Sequence, residues 1–169
     1  LGLDATRSHL SATGRLPEKQ FTEAKRLLEE TANSPRRRIV ARHYPVSAPS
    51  GYEKELHAKR MVNAEAIKPW LSSLGPHLFC CGHVHAAWAF QPEDVPGELC
   101  LNAGSPLLRD HKGNRSPGFL EIDLNEEAVS VTHHAWVGDD WVARPLFQDP
   151  GYFKARRRTD QPTREAMRS

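Results

Sequence analysis

Apolar positions change their spacing along this chain. Up to residue 82 they recur at helical intervals between short apolar runs; beyond it they alternate at the period of a strand. Residues 1–4 read as a short strand, followed by a polar loop to Gly14. Pro17 suits the first position of a helix, and Phe21, Ala24, Leu27, Leu28 and Thr31 then fall on one face. Asn33-Ser34-Pro35 stops that helix. Arg36-Arg37-Arg38 is a solvated entry to the strand Ile39-Val40-Ala41. A Pro/Ser/Gly loop covers residues 47–52, and residues 52–74 are mostly helical, with Ile67, Trp70, Leu71 and Leu74 as the apolar face. Pro69 is awkward in a helix interior, so the pattern predicts two short helices or a break near Lys68. Gly75-Pro76 ends this stretch, and residues 77–82 form a strand.

Residues 86–90, 98–101, 118–124, 128–136 and 141–147 also read as strands. Asn125-Glu126-Glu127 and Gly138-Asp139-Asp140 suit hairpin turns. Trp70, Trp88, Trp136 and Trp141 are expected in the core or between layers. The order predicts a mixed α/β fold of layered α+β type. A helix-covered sheet comes first, and the later strands either extend it or add a second layer. From residue 149 the chain turns polar and basic (Lys154, Arg156, Arg157, Arg158, Arg164, Arg168), so residues 1–148 form the domain and 149–169 a loosely held tail.

Composition narrows the function classes. The 169 residues are 38% hydrophobic and 26% charged, which suits a globular domain or a piece of one. A net charge of +2 gives no global argument for nucleic-acid or membrane binding, and no apolar run is long enough for a membrane helix. Cys80, Cys81 and Cys100 make no disulfide framework and read as small buried side chains, which favours a cytoplasmic location. The chain opens at Leu1 inside a strand, so the expectation is a processed piece or fragment.

The candidate chemistry begins at Gly82-His83-Val84-His85, after the apolar run Leu78-Phe79-Cys80-Cys81. In extended backbone, residues two apart point to the same side, so both imidazoles are expected to project into one volume. Neutral imidazole ligates Zn, Fe and Mn alike. His43-Tyr44-Pro45 stands at an earlier strand end and Asn102-Ala103-Gly104-Ser105-Pro106 at a later one. Sites in α/β sheets gather outside the carboxyl ends of strands, so the three clusters are expected to converge. His9, His57, His77, His133 and His134 are read as ordinary polar residues. His111 could reach a substrate, although a plain polar role is the better reading.

These three motifs, in this order, resemble the later half of a calcineurin-like metallophosphoesterase. That superfamily has a His-His-Pro-like strand end, then Gly-His-x-His, then often an Asn-x-Gly-Ser turn. The segment Leu3-Asp4-Ala5-Thr6, the loop to Gly14 and Leu16-Pro17-Glu18-Lys19-Gln20 share the likeness, which covers roughly residues 1–125. The resemblance implies the C-terminal half of a four-layer α-β-β-α sandwich. It also implies two divalent metal ions, His43 and His83 binding one and His85 the other. Gly82, Tyr44, Asn102, Gly104 and Ser105 would form the wall. Tyr44 stands where a second histidine is commoner. The implied reaction is hydrolysis of a phosphate ester, small molecule or nucleotide, by metal-activated water, with no protein nucleophile.

The superfamily's first half carries Asp-x-His, Gly-Asp-x-x-Asp and Gly-Asn-His elements, and this chain lacks them. Asp110-His111, Gly138-Asp139-Asp140 and Gly113-Asn114-Arg115 are near misses on the wrong side of His43. The expectation is a chain that hydrolyses phosphate esters feebly alone, in a full-length protein that is the enzyme. A non-catalytic interaction protein on the same scaffold is the alternative. An amidohydrolase-type barrel, which also uses His-x-His, needs about 250 residues and alternating helices that do not follow His85.

Overall fold

Two sheets pack face to face, and helices cover the far side of the first. A computed structural model describes residues 1–7, 13–31, 36–59, 61–108 and 116–154. His9, Asn33-Ser34-Pro35, Asp110-His111, Gly113-Asn114-Arg115 and the basic residues beyond Lys154 lie outside the described residues. The elements are α1 (Glu18–Glu30), β1 (Arg38–Ala41), α2 (Glu53–Ala58), α3 (Ala64–Ser73), β2 (His77–Cys81), β3 (Ala87–Phe90), β4 (Glu98–Ala103), β5 (Gly118–Leu124), β6 (Val129–Val137) and β7 (Asp140–Asp149).

The first sheet has the order β1-β2-β4-β3, with β1, β2 and β4 parallel and β3 antiparallel at the edge. Alternation along its strands feeds two cores. Val40, Phe79, Cys81 and Cys100 face Phe21 and Ala24 of α1 and Ile67, Trp70 and Leu71 of α3. Leu78, Leu99 and Leu101 face the other way and meet Val129 and Val131 of β6. Burial on both faces explains the near-continuous apolar run of β2. The second sheet, β5-β6-β7, is an antiparallel meander covered on one side only. Among the described residues the layers are therefore helix, sheet, sheet. The mixed α/β architecture expected from the sequence is the one observed.

Several expectations change in detail. Residues 1–3 run parallel to β1, but only Gly2 forms a bridge, opposite Ala41. The helical stretch does split in two, yet the break falls between α2 and α3, around Met61, and Pro69 sits inside α3. Pro69 and Glu65, the residue whose carbonyl Pro69 cannot bond, are both exposed, so water can take that acceptor. Met61 is fully buried and pins the break from below. Pro145 of β7 lies on an edge strand beside a register shift opposite Val131 and Thr132, where a missing donor is harmless.

The domain also extends past residue 148. Tyr152 and Phe153 are buried in the core between the sheets, and Tyr152 Oη lies 2.7 Å from the Gly97 carbonyl and 3.0 Å from that of His77. Two aromatic side chains were enough to dock a segment whose composition reads as a tail. Trp70 and Trp88 are buried as expected. Trp136 and Trp141 are exposed instead, because their strand positions point to the outer face of the second sheet. No helix among the described residues is long and apolar enough to cross a membrane.

Candidate metal centre at the strand ends

Parallel pairing sets where the polar motifs emerge. Ala41 is in register with Cys80 and Cys81 with Asn102, so β1, β2 and β4 end at one level. The chain just past β1 stays attached to β2: Arg42 N donates to the Cys80 carbonyl at 3.0 Å, and Gly82 N to the His43 carbonyl at 2.9 Å. This tether brings the His43 ring against the backbone of Gly82. His43 Nε2 and His83 Nδ1 then lie 3.0 Å apart. Tyr44 packs beside both, its ring 4.6 Å from that of His83 and 5.1 Å from that of His43. Tyr44 is buried while His43 is exposed, so the pair opens to solvent over an apolar floor.

The His83–His85 segment is not the extended strand end expected from its spacing. β2 stops at Cys81. Val84 N then donates to the Gly82 carbonyl at 2.8 Å and Ala86 N to the Val84 carbonyl at 2.7 Å. These are two successive three-residue turns, centred on His83 and His85. His83 has φ 66°, the only positive value at a non-glycine among the described residues. A turn of this kind with positive φ is rare and strained, and strain of this sort collects at functional sites. Val84 is buried between the two histidines and anchors the turns in a small cluster with Tyr52, Ala86 and Trp88.

β4 braces the turns from beside. Asn102 is fully buried, and its Nδ2 donates to the Val84 carbonyl at 2.7 Å. Gly104 has φ 73°, and a Cβ there would lie 3.2 Å from the Ala87 amide nitrogen, so both conformation and space favour glycine. Ser105 Oγ accepts from Leu108 N at 3.0 Å and shapes the turn after β4.

The structure thus joins His43 to His83 and ties Asn102 to the turns that carry His83 and His85. It does not gather three ligands: among the described residues no group of three or more His, Cys, Asp or Glu side chains is arranged to hold a metal ion. The pair itself suits one ion. Two nitrogens on a tetrahedral Zn stand roughly 3.3 Å apart, given bonds of about 2.0–2.1 Å, and the pair is close to that separation. A bridged pair of ions needs a carboxylate as well, and the described residues place none in such a group.

Two charged residues escaped the sequence reading. Arg42 is buried, its guanidinium 4.9 Å from the Phe79 ring, and burial pulls its pKa down to about 10. Glu98 is fully buried, and burial raises its pKa despite the opposing pull of His77. Both stand two residues from core positions, Val40 and Cys100, and so share the helix-side face. A charge at buried strand parity was the signal available. Burial also lifts the Cys80 thiol to about 11, in keeping with inert cysteines, and all three are free.

No protein-family model matches the chain, and no curated protein matches it. Among solved structures, a dimetal phosphatase from Danio rerio superposes on 79% of this chain with a TM-score of 0.56 and 18% identity. The chain shares its fold with that phosphatase over this span. It covers 40% of the length of that phosphatase. A single mutant of Vps29 from Entamoeba histolytica aligns over 86% of this chain and 97% of its own at 15% identity. Wild-type Vps29 from the same organism, complexed with Zn²⁺, aligns over 86% and 96% at 13% identity. Both have TM-scores of 0.36, too low to bear on the site.

Proposed function

We propose that this chain supplies part of the active site of a metal-dependent phosphoesterase. The contact between His43 Nε2 and His83 Nδ1, at the common end of three parallel strands, carries the reading. Two neutral imidazoles at that spacing are a ready-made pair of ligands for one Mn, Fe or Zn ion. His85, centred on the next turn, is assigned to a second ion, completed by carboxylates from outside the described residues. When bound, such ions lower the pKa of a shared water and offset charge on phosphoryl oxygens. The protein's own part is to hold the imidazoles. Tyr44 fixes the plane of His83 and keeps bulk water from its inner side. Asn102 and Gly104 set the height of the turns. The exposed mouth admits a phosphate ester of either kind, monoester or diester, small or nucleotide-sized.

The chain covers 40% of the Danio rerio phosphatase, so substantial turnover is assigned to a longer protein. The test is an assay with Mn²⁺ and a nitrophenyl phosphodiester. The 169-residue chain should be feeble, and a protein extended upstream of Leu1 should turn over and lose activity on His43→Ala. An extended protein that holds no metal and hydrolyses nothing would refute the reading. It would favour a second one, a non-catalytic interaction protein on the same scaffold, for which the exposed Phe119, Trp136 and Trp141 on the outer sheet face speak.

A further inference from the structure

Behind His43 and His83 lie two buried side chains of opposite type, an arginine and a glutamate. Arg42 is 7% exposed, and its Nε and both terminal nitrogens are buried with no hydrogen-bond partner among the described residues. Glu98 is 0% exposed. Its Oε2 has His77 Nε2 at 3.4 Å, and its Oε1 has no partner. Register places Arg42 level with Cys81 and Asn102, and Glu98 level with His77. The two rows are four residues apart, roughly 13 Å along the strands. The arginine stem bridges part of this span, laying the guanidinium over Phe79, which stands in register with Cys100, two residues from Glu98. Two long side chains from opposite ends of one sheet face thus reach toward each other, and no direct hydrogen bond joins them.

Buried charges are costly unless paired and hydrogen-bonded, and buried polar atoms in native proteins are nearly always satisfied. Arg42 offers only donors and Glu98 Oε1 an acceptor, so the joint calls for a molecule that accepts from nitrogen and donates to oxygen. We propose that Arg42 and Glu98 form a water-bridged ion pair inside the helix-side core, and that Arg42 is thereby a positioning residue for His43. The leverage is direct. Arg42 is the last residue before His43, and its backbone continues the β1–β2 ladder. With the guanidinium anchored, the main chain enters His43 at a fixed height, and the ring meets His83. Without it, the strand end is free to lift and the imidazole pair separates. The positioning half of this inference rests on the His43–His83 pair being the site; the bridge itself does not.

Three readouts on the 169-residue chain decide it, none of them turnover. A high-resolution crystal structure should show an ordered water within hydrogen-bonding distance of both the guanidinium and Glu98 Oε1; a solvent-exposed Arg42 or a direct bidentate pair overturns the bridge. Arg42→Met and Glu98→Leu should each lower the melting temperature by roughly 10 °C, and the double variant should recover at least half of either loss, because an apolar replacement leaves no lone charge behind. Additive losses overturn the pairing. Finally, ¹⁵N spectra of the imidazoles should show the His43–His83 hydrogen bond in the wild type and its loss in Arg42→Met, with Arg42→Lys intermediate. Arg42→Lys supplies the reading if Arg42→Met does not fold. Unchanged imidazole spectra in a folded Arg42 variant overturn the positioning role. If Zn²⁺ leaves the wild-type imidazoles untouched, the phosphoesterase reading fails, and these three readouts still decide the bridge.

Discussion

In the β1-β2-β4-β3 sheet the chemistry-bearing residues stand at or behind the ends of parallel strands, while in the β5-β6-β7 sheet they lie across an open face. The first sheet is buried on both sides, so polar groups reach solvent only where its strands stop together. His43 and His83 are grouped for that reason, with the buried Asn102 bracing the turns behind them. The second sheet is a meander whose strands end in tight turns, such as Gly138-Asp139 with φ 67° at Gly138. A polar pair on it, His134 with Glu121 at 2.6 Å, sits mid-strand, with the His134 ring stacked on Phe119. Parallel pairing concentrates functional groups at a rim, whereas antiparallel pairing spreads them over a surface. The second sheet thus serves the first by covering Leu78, Leu99 and Leu101.

That division of labour can be broken at its strongest point first. Leu101 is 1% exposed at the contact between the sheets. Leu101→Ala should cost about 2–5 kcal/mol of stability in urea unfolding. His83→Ala should weaken Zn²⁺ binding at least about 100-fold in calorimetry, with little change in unfolding, because ligands outrank the outer groups whose loss costs 10–100-fold. Gly104→Ala meets both a left-handed backbone and the Ala87 amide, and should cost about 1–2 kcal/mol in the same unfolding experiment.

The shape of the sequence explains which of these contrasts could be foreseen. Alternation made β5 and β6 readable almost to their ends, since each has one wet face, and β7 followed from the turn at Gly138. The apolar run Leu78-Phe79-Cys80-Cys81 marked a strand buried on both sides. The turn after Gly82 could not be read, because residue spacing carries no φ, and His83 owes its place to one left-handed residue. Arg42 and Glu98 were hidden by their type: charged residues are expected outside, and their burial follows from sheet register. Pro69 misled for the converse reason, since a local rule was overridden where the freed carbonyl faces water. Tyr152 and Phe153 were masked by basic neighbours. Of the candidate site, residue types and order were legible, and the geometry of the two turns was not.

Smaller effects sharpen the comparison further. Burial raises the Glu98 pKa in the fold, so ionising this carboxyl costs more there than in the unfolded chain, and the bridge to Arg42 offsets that cost only in part. Stability from this group is full below the unfolded value and is lost as pH rises through the folded one. The wild type should therefore lose stability across that window, and Glu98→Gln should lack that slope, as read from melting temperatures at a series of pH values. The weakest effect belongs to the open face. Trp141 is 49% exposed and packs on Trp136 and Phe119 at 5.2 and 5.3 Å. Trp141→Thr should change stability by no more than about 0.5 kcal/mol and leave Zn²⁺ binding unchanged.

Metal titration followed at the imidazole nitrogens tests the central claim most directly. On adding Zn²⁺, the resonances of His43 Nε2 and His83 Nδ1 should move together and saturate at the same equivalence, as two ligands of one ion must. Independent titration of the two rings, or no response in either, would contradict a shared metal position at the end of the parallel strands.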